Sequence, residues 1–142
     1  MKGRKIITVL EEQDEFPHKP DEVSNYNESM YFNLIDHSQK IGGWFRLGNR
    51  VNENYAEMTC CIYLPDGRVG FMYKKPEIKT NTVFDAGGMR FEVVEPFKEL
   101  KLSYEGKVCV LDEPNDMAEP KKAFTENPMV DTTVELTFQA VS

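Results

Sequence analysis

The sequence predicts an all-β protein, an antiparallel β-barrel or sandwich of about eight to nine strands with little helix. Apolar and polar residues alternate with a period of two in one segment after another, as in half-buried strands. Most of these segments are joined by turns that contain glycine, and no stretch shows the period of an amphipathic helix. With 142 residues the chain has the size of one domain and can bury a hydrophobic core.

The N-terminal region, residues 1–28, is predicted to be an extended arm. Its short apolar segment Ile6–Leu10 fits either a first strand or a single helical turn. Pro17 and Pro20 follow among charged residues, and a proline cannot donate a backbone hydrogen bond to a neighbouring strand. We therefore assign residues 29–142 to the antiparallel β domain.

The centre of the predicted sheet is the segment 42–67, which contains two strands and ends in a Pro-Asp-Gly turn. The strand Ser29–Asp36 comes before it. Within Tyr55–Leu64 the even-numbered positions form an apolar face, and the odd-numbered positions are aromatic and polar. If the two central strands pair, one surface carries two rings and an ion pair: Trp44, Arg46, Glu57 and Tyr63.

Three hairpins are predicted from Tyr55 onward, and the first includes the second central strand. The first pairs Tyr55–Leu64 with Val69–Tyr73 across the Pro-Asp-Gly turn. The other two are defined by their strands and turns: Thr82–Asp85 with Met89–Glu95 around Gly87 and Gly88, and Glu99–Tyr104 with Lys107–Leu111 around Glu105 and Gly106.

The C-terminal part combines an acidic segment with one more strand. Asp112–Pro128 is predicted to be a solvated lid or linker with one helical turn. The residues expected to anchor it are Met117, Ala118, Ala123 and Phe124. The last strand, Thr132–Val141, continues to the end of the sequence without a closing turn. This pattern predicts one half of a longer protein, or a chain that completes itself by association.

Composition narrows the classes of partner. The 24 acidic against 17 basic residues give a net charge of −7, which argues against nucleic acid as a partner. Three cysteines without framework spacing indicate reduced thiols in a cytoplasmic protein. His18 and His37 stand far from any cysteine in sequence, so we expect no metal site and no cofactor. No apolar run approaches the ~18 residues of a membrane span.

Several segments resemble the amino-terminal half of lipocalin-like proteins related to carotenoid 1,2-hydratase (hydroxyneurosporene synthase). They are SMYFNLID, WFRLGNRVNENYAEMTCCIYLPDG, FDAGGMRFEVVEPFKELKLSYEG and the late AFTENPMV and VELTF, within residues 27–141. The resemblance implies a lipocalin-like barrel built from two consecutive halves, with an apolar ligand site inside or between them. Some members of that family hydrate or cyclise terpenoid and polyene substrates. The matching positions are Trp44, Arg46, Asn49, Arg50, Asn52, Glu57, Gly87, Gly88 and Arg90.

The sequence is compatible with three functions. The first is binding of an apolar small molecule, a lipid or terpenoid-like compound, in a barrel or inter-subunit cavity. Its predicted contacts are Tyr31, Trp44, Arg46, Arg50, Tyr63, Phe71 and Arg90. The second is a hydratase or cyclase in which Glu57 acts as general acid. The third is a structural half-domain that acts only when paired, as a homodimer or with a missing second half-domain.

Each of these residues also has a structural interpretation. Aromatic side chains at a period of two ordinarily fill the core of a small β domain. Glu57 with Arg46 or Arg50 fits a structural ion pair as well as a catalytic one. Arg90 and Glu92 share a strand face and fit a solvated surface pair.

Overall fold

The computed structural model describes residues 9–141 and shows eight antiparallel strands with one short α-helix. The all-β prediction is therefore confirmed. Of the segment Ile6–Leu10, residues 6–8 lie outside the described residues, as does Ser142. The elements are β1 (Glu28–Asp36), β2 (Ile41–Arg50), β3 (Tyr55–Tyr63), β4 (Val69–Lys74), β5 (Phe84–Ala86), β6 (Met89–Glu95), β7 (Glu99–Leu111), α1 (Pro120–Glu126) and β8 (Met129–Gln139).

The strands form one sheet in the order β1-β2-β3-β4-β7-β6-β5, with β8 on the other edge of β7. Strand β7 joins the two parts of this sheet. Its N-terminal half pairs with β6, its last residues pair with β4, and β8 pairs with it along Glu99–Cys109. Because β4 and β6 share one edge of β7, the sheet folds over there. The first layer, β1–β4, then packs against the second layer, β5–β8.

Large apolar side chains fill the space between the layers. Phe45 and Leu47 from β2 meet Met89 and Tyr104 from the second layer in one core cluster, each 2% exposed or less. The Phe32 ring of β1 lies 4.9 Å from the ring of Phe138 on β8 and 5.3 Å from that of Phe91. This filled interior is what holds the two layers together, because burying each such side chain contributes roughly 1.5–3 kcal/mol.

The predicted third hairpin is wrong, because β7 runs straight through Glu105 and Gly106. The glycine has another purpose. A Cβ atom on Gly106 would lie 2.7 Å from the Tyr104 hydroxyl oxygen, which itself donates to the Lys107 carbonyl oxygen at 2.6 Å. Gly106 thus makes room for a buried ring. The turn at Gly87 and Gly88 forms as predicted, with φ values of +64° and +89°.

The acidic segment 112–128 is more ordered than the sequence predicts. It forms a 3₁₀ turn at Pro114–Ala118 followed by the seven-residue helix α1. Ala123 is buried against Cys109 and Leu111 of β7, and Met117 and Phe124 pack beside it. Three of the four predicted anchors therefore contact the sheet. Ala118, the fourth, is exposed.

The N-terminal arm is bound to the body of the protein by polar contacts. Its backbone at His18 donates to the Glu28 carboxylate at 2.9 Å, and the Asn81 amide donates to both the His18 carbonyl oxygen and Glu28 at 2.9 Å. The Asn52 amide donates to two arm carbonyl oxygens at 2.8 Å. Asn49, 1% exposed, donates to Asn81 at 3.1 Å. Asn49 and Asn52 are thus engaged in holding the arm.

Candidate functional site

Seven of the eight predicted site residues, all except Arg90, lie together on the outer surface of the first layer. The register places Tyr31 opposite Arg46, Trp44 opposite Cys61, and Cys61 opposite Phe71, so these side chains share one face. The Tyr31 and Trp44 rings lie 6.1 Å apart. We call the ring-bearing part of this surface the aromatic face: Tyr31, Trp44, Tyr63, Phe71 and Tyr73.

The aromatic face points away from the interior of the sandwich. Phe45 and Leu47, the neighbours of Trp44 and Arg46 along β2, point inward and are buried in the core. Alternation along a strand sends successive side chains to opposite faces, so Trp44 points outward. A ligand that contacts Trp44 therefore lies outside the sandwich.

Helix α1 forms a wall at one side of the aromatic face. The Phe124 ring of the helix stacks on Phe71, with centroids 5.7 Å apart and an interplanar angle of 9°. Beside this stack an open groove of about 650 Å³ runs between Tyr73 and the helix. Pro120 and Phe124 line it on the helix side, and charged side chains stand at its rim: Glu119, Lys121 and Lys122.

Small side chains separate the larger ones at the centre of this surface. Thr59 is 7% exposed and Cys61 is fully buried, although both belong to the outward-facing positions of β3. They are covered by their larger neighbours, so the surface has relief instead of being flat. Burial raises the pKa of the Cys61 thiol to about 11, which leaves it protonated and unreactive near neutral pH.

A cluster of charged side chains borders the rings. Arg46 Nη1 lies 3.1 Å from Glu57 Oε2, and Arg50 Nη1 lies 3.8 Å from the other oxygen of that carboxylate. Arg50 also pairs with Glu53 at 2.8 Å, a hydrogen bond that raises the pKa of Arg50 and lowers the pKa of Glu53. Glu57 therefore holds two guanidinium groups beside the rings.

Gly48 makes room for this cluster, a role that was not foreseen from the sequence. A Cβ atom on Gly48 would lie 2.6 Å from Arg46 Nη2 and 2.9 Å from Cζ. The guanidinium group thus folds over the glycine on its way to Glu57, which is the β3 partner of Gly48. A lone glycine at an outward-facing strand position is the signal that pointed to such a close approach.

Comparison with known proteins places the chain in a family. One family model matches residues 11–142, nearly the whole sequence. The chain belongs to the family described as Domain of unknown function (DUF7064). No curated protein and no solved structure matches it. The description of DUF7064 states no activity, so the resemblance to hydratase-related lipocalin-like proteins stays a prediction.

In this DUF7064 domain Glu57 has the geometry of an ionic anchor. Its carboxylate is contacted by Arg46 at 3.1 Å and by Arg50 at 3.8 Å. The arrangement can hold Arg46 and Arg50 in fixed positions, with further guanidinium N–H groups available to a ligand.

Arg90 is separated from the other predicted contacts of the DUF7064 domain. It lies on β6, in the second layer, where it is exposed beside Ser103 and Glu135. The alternation assigned Arg90 correctly to an outward-facing position of its strand. It did not show that β6 and β2 belong to different layers, because layer assignment depends on long-range pairing.

The part of the chain between residues 9 and 141 contains no helix that is long and apolar enough to cross a membrane.

Proposed function

We propose that the aromatic face of the first layer binds an apolar small molecule, a lipid or terpenoid-like compound. The observation that carries this proposal is the exposure of so many rings on one surface. Tyr31 is 54% exposed, Tyr63 44% and Tyr73 38%, and Tyr73 also lines the groove beside α1. Contiguous exposed apolar surface of this kind is typical of ligand or protein interaction sites.

The charged cluster supports a ligand with a polar head. Arg46 and Arg50 contact two carboxylates, Glu53 and Glu57, and Arg50 and Lys75 lie over the Tyr55 ring. Arg46 is also the strand partner of Tyr31, a ring of the aromatic face. A carboxylate head group on that face would accept hydrogen bonds from the Arg46 guanidinium group. An amphipathic acid should thus bind more tightly than the matching alcohol.

Trp44 provides a direct test, because it is the single tryptophan of the chain and lies on the aromatic face. We would titrate the protein with retinoic acid and with retinol, two polyenes that differ in the head group, and follow the emission of Trp44. The proposal predicts saturable quenching by both probes, with a lower Kd for the acid. Titration of the Tyr73→Ser variant should give weaker binding. The matched control Lys101→Ala changes the outer face of the second layer and should bind as the original protein does.

Two results would contradict the proposal. One is the absence of saturable quenching with either probe. The other is an equal loss of binding in Tyr73→Ser and Lys101→Ala, because such a loss would have nothing to do with the aromatic face.

The hydratase or cyclase alternative can be separated by the Glu57→Gln variant. An enzyme with Glu57 as general acid would lose turnover of an isoprenoid substrate and keep its affinity for the ligand. If Glu57 forms a structural ion pair, the variant should instead lose unfolding free energy and ligand affinity together, because Arg46 and Arg50 would lose a charged partner. We favour the second result on the geometry of the cluster.

We also propose a cytoplasmic setting for the protein, supported by the state of its thiols. Cys60, Cys61 and Cys109 are free and buried, which is typical of proteins kept in a reducing compartment. Fractionation of cells that express the full-length chain tests this. Recovery outside the cytoplasmic fraction would contradict it.

A further inference from the structure

Strand β8 presents a long and unprotected sheet edge. It pairs with β7 on one side without any shift of register, and its other side has no strand partner among residues 9–141. Its eleven residues, MVDTTVELTFQ, contain no proline, lysine or glycine. Natural edge strands are usually short, bulged, or broken by proline or lysine, which prevents pairing with other chains. At the end of the second layer, β5 follows that rule with three residues.

The backbone hydrogen bonds show which positions of β8 face the free edge. The Ala140 N–H donates to the Lys98 carbonyl oxygen at 2.8 Å, and the Val110 N–H donates to the Pro128 carbonyl oxygen at 2.9 Å. The backbone N–H and C=O groups of the even-numbered residues from 128 to 140 therefore point toward β7. In an antiparallel strand the backbone groups of the alternate residues point to the opposite edge. The odd-numbered positions from 131 to 139 thus offer their N–H and C=O groups to a new strand.

The side chains of β8 divide between a half-buried apolar set and an exposed polar set. Val134, Leu136 and Phe138 pack against the core but remain partly exposed. Asp131 and Glu135 carry the negative charges of the strand on its exposed, outward-facing positions. A partner strand must cover the first set and keep its own carboxylates away from Asp131 and Glu135.

We propose that β8 pairs with β8 of a second copy of this chain, antiparallel, across a two-fold axis at Val134. This register overlaps all eleven residues, because Met129 then lies opposite the partner's Gln139. Asp131 lies opposite the partner's Thr137, and Glu135 lies opposite the partner's Thr133. Each carboxylate therefore meets a hydroxyl group. On the other face Val134 meets its own copy and Phe138 meets the partner's Val130.

The neighbouring registers are disfavoured by charge. Only the odd-numbered residues have backbone groups that face the free edge, so they must pair with odd-numbered residues of the partner. The two nearest alternative registers therefore have their two-fold axis at Thr133 or at Glu135. With the axis at Thr133, Asp131 lies opposite the partner's Glu135. With the axis at Glu135, the two copies of that carboxylate face each other. Like charges directly opposite are destabilising, so the fully overlapped register is the preferred one of the three.

The other free edge, β1, does not have this self-complementarity. Full overlap of two β1 strands would place Glu28 opposite the partner's Asp36 at both ends. Glu28 also receives the hydrogen bonds that hold the N-terminal arm. A closed two-fold dimer through β8 therefore fits the molecule better than pairing through β1.

The test begins with sedimentation velocity of the full chain over a range of concentrations. The proposal predicts a monomer–dimer equilibrium. Thr137→Asp should weaken the dimer about tenfold, because it places a like charge opposite the partner's Asp131 twice in the assembly. Within one chain the same aspartate lies opposite Lys101 of β7, an opposite charge that favours it in the fold. Adding Asp131→Asn to that variant should restore the dimer.

Cysteine cross-linking then tests the register. In the proposed pairing, Val134 and the partner's Val134 form a non-hydrogen-bonded pair with Cα atoms about 4.5 Å apart, which suits a disulfide. Val134→Cys should therefore give a covalent dimer on oxidation. The control Thr132→Cys lies opposite the partner's Leu136, too far from its own copy, and should not. A monomer at every concentration, a dimer unaffected by Thr137→Asp, or equal cross-linking of the two cysteine variants would overturn the proposal.

Discussion

The two outer faces of this sandwich follow the same alternation but carry different chemistry. On the first layer the outward-facing positions hold rings and half-buried arginines, among them Trp44 and Arg46. On the second layer most of them are polar and exposed, and Val94 and Met129 are the apolar exceptions. The polar ones are Asp85, Arg90, Glu92, Lys101, Ser103, Glu105, Glu135 and Thr137. A solvated sheet face is expected to look like the second one. The exposed rings of the first layer depart from that pattern, which is why we propose the ligand site there.

The contrast extends to how each face is covered. Helix α1 packs on Phe71 of the first layer and on the last residues of β7, which pair with β4, and it buries Cys109 and Leu111 there. The rest of that face remains open, with Tyr31 and Tyr63 exposed. Changes on the first face should therefore affect stability and ligand binding together, whereas equivalent changes on the second face should affect neither.

The largest effect is expected from Phe124→Ala. This change removes the stack on Phe71 and a wall of the groove, so α1 loses its main apolar contact with the face. We expect the free energy of unfolding to fall by about 2–3 kcal/mol, less than for a fully buried phenylalanine because the ring is partly exposed. Urea denaturation measures this. The exposed Glu126→Ala on the same helix is the control, and an equal change in both variants would contradict the role of the stack.

A smaller effect is expected from Gly48→Ala. The added methyl group occupies the space of the Arg46 guanidinium, so the contact with Glu57 at 3.1 Å must break or shift. We expect a loss of about 1 kcal/mol in unfolding free energy. Binding of retinoic acid should weaken more than binding of retinol, because the cationic group moves. Ser29→Ala, the exposed β1 neighbour of Gly48, is the control. Unchanged preference for the acid would mean that Arg46 does not contact the head group.

The smallest effect concerns the N-terminal arm, which lies away from the aromatic face and serves as a reference. The hydrogen bond to Glu28, with a further one to Asp14, raises the pKa of His18 from 6.5. The contribution of protonated His18 to stability is therefore complete below pH 6.5 and is lost as the pH rises through its folded-state pKa. Burial acts to raise the pKa of Glu28, but hydrogen bonds from His18, Asn81 and Tyr26 lower it from 4.5 overall. The contribution of ionised Glu28 to stability is therefore present above pH 4.5 and is lost as the pH falls through its folded-state pKa.

The arm should accordingly be held best between about pH 4.5 and 6.5. Thermal unfolding at a series of pH values measures this for the original protein and for His18→Gln. The variant should lack the decline of Tm on the alkaline side. Emission from Trp44 should not change over the same pH range. A decline that persists in His18→Gln would assign it to another group.

Most strands could be predicted from the sequence because alternation is a local property. The bounds of β1, β3, β4 and β6 agree with the pattern to within one residue. The error at Gly106 arose because a glycine in a strand pattern signals either a turn or a close approach, and only the position of the Tyr104 ring distinguishes them. Helix α1 was underestimated because tertiary packing of Ala123 and Phe124 on β7, not helical periodicity, stabilises so short a helix.

The candidate site was predictable in part for the same reason. The set Trp44, Arg46, Glu57 and Tyr63 shares a face because strand pairing preserves alternation across neighbours. Two features of the site could not be predicted from local sequence patterns. Arg90 belongs to the other layer, and the packing direction that places the rings outside the sandwich depends on how the sheet folds at β7.

Native mass spectrometry of freshly purified protein, neither denatured nor delipidated, tests the ligand site on the aromatic face most directly. We expect the added mass of a bound apolar molecule on the original protein and on Lys101→Ala, and its loss from Tyr73→Ser. The same spectra report whether the dimer forms, independently of the ligand. A protein that carries no added mass, or one that retains it in Tyr73→Ser, would contradict the assignment of the aromatic face as a ligand site.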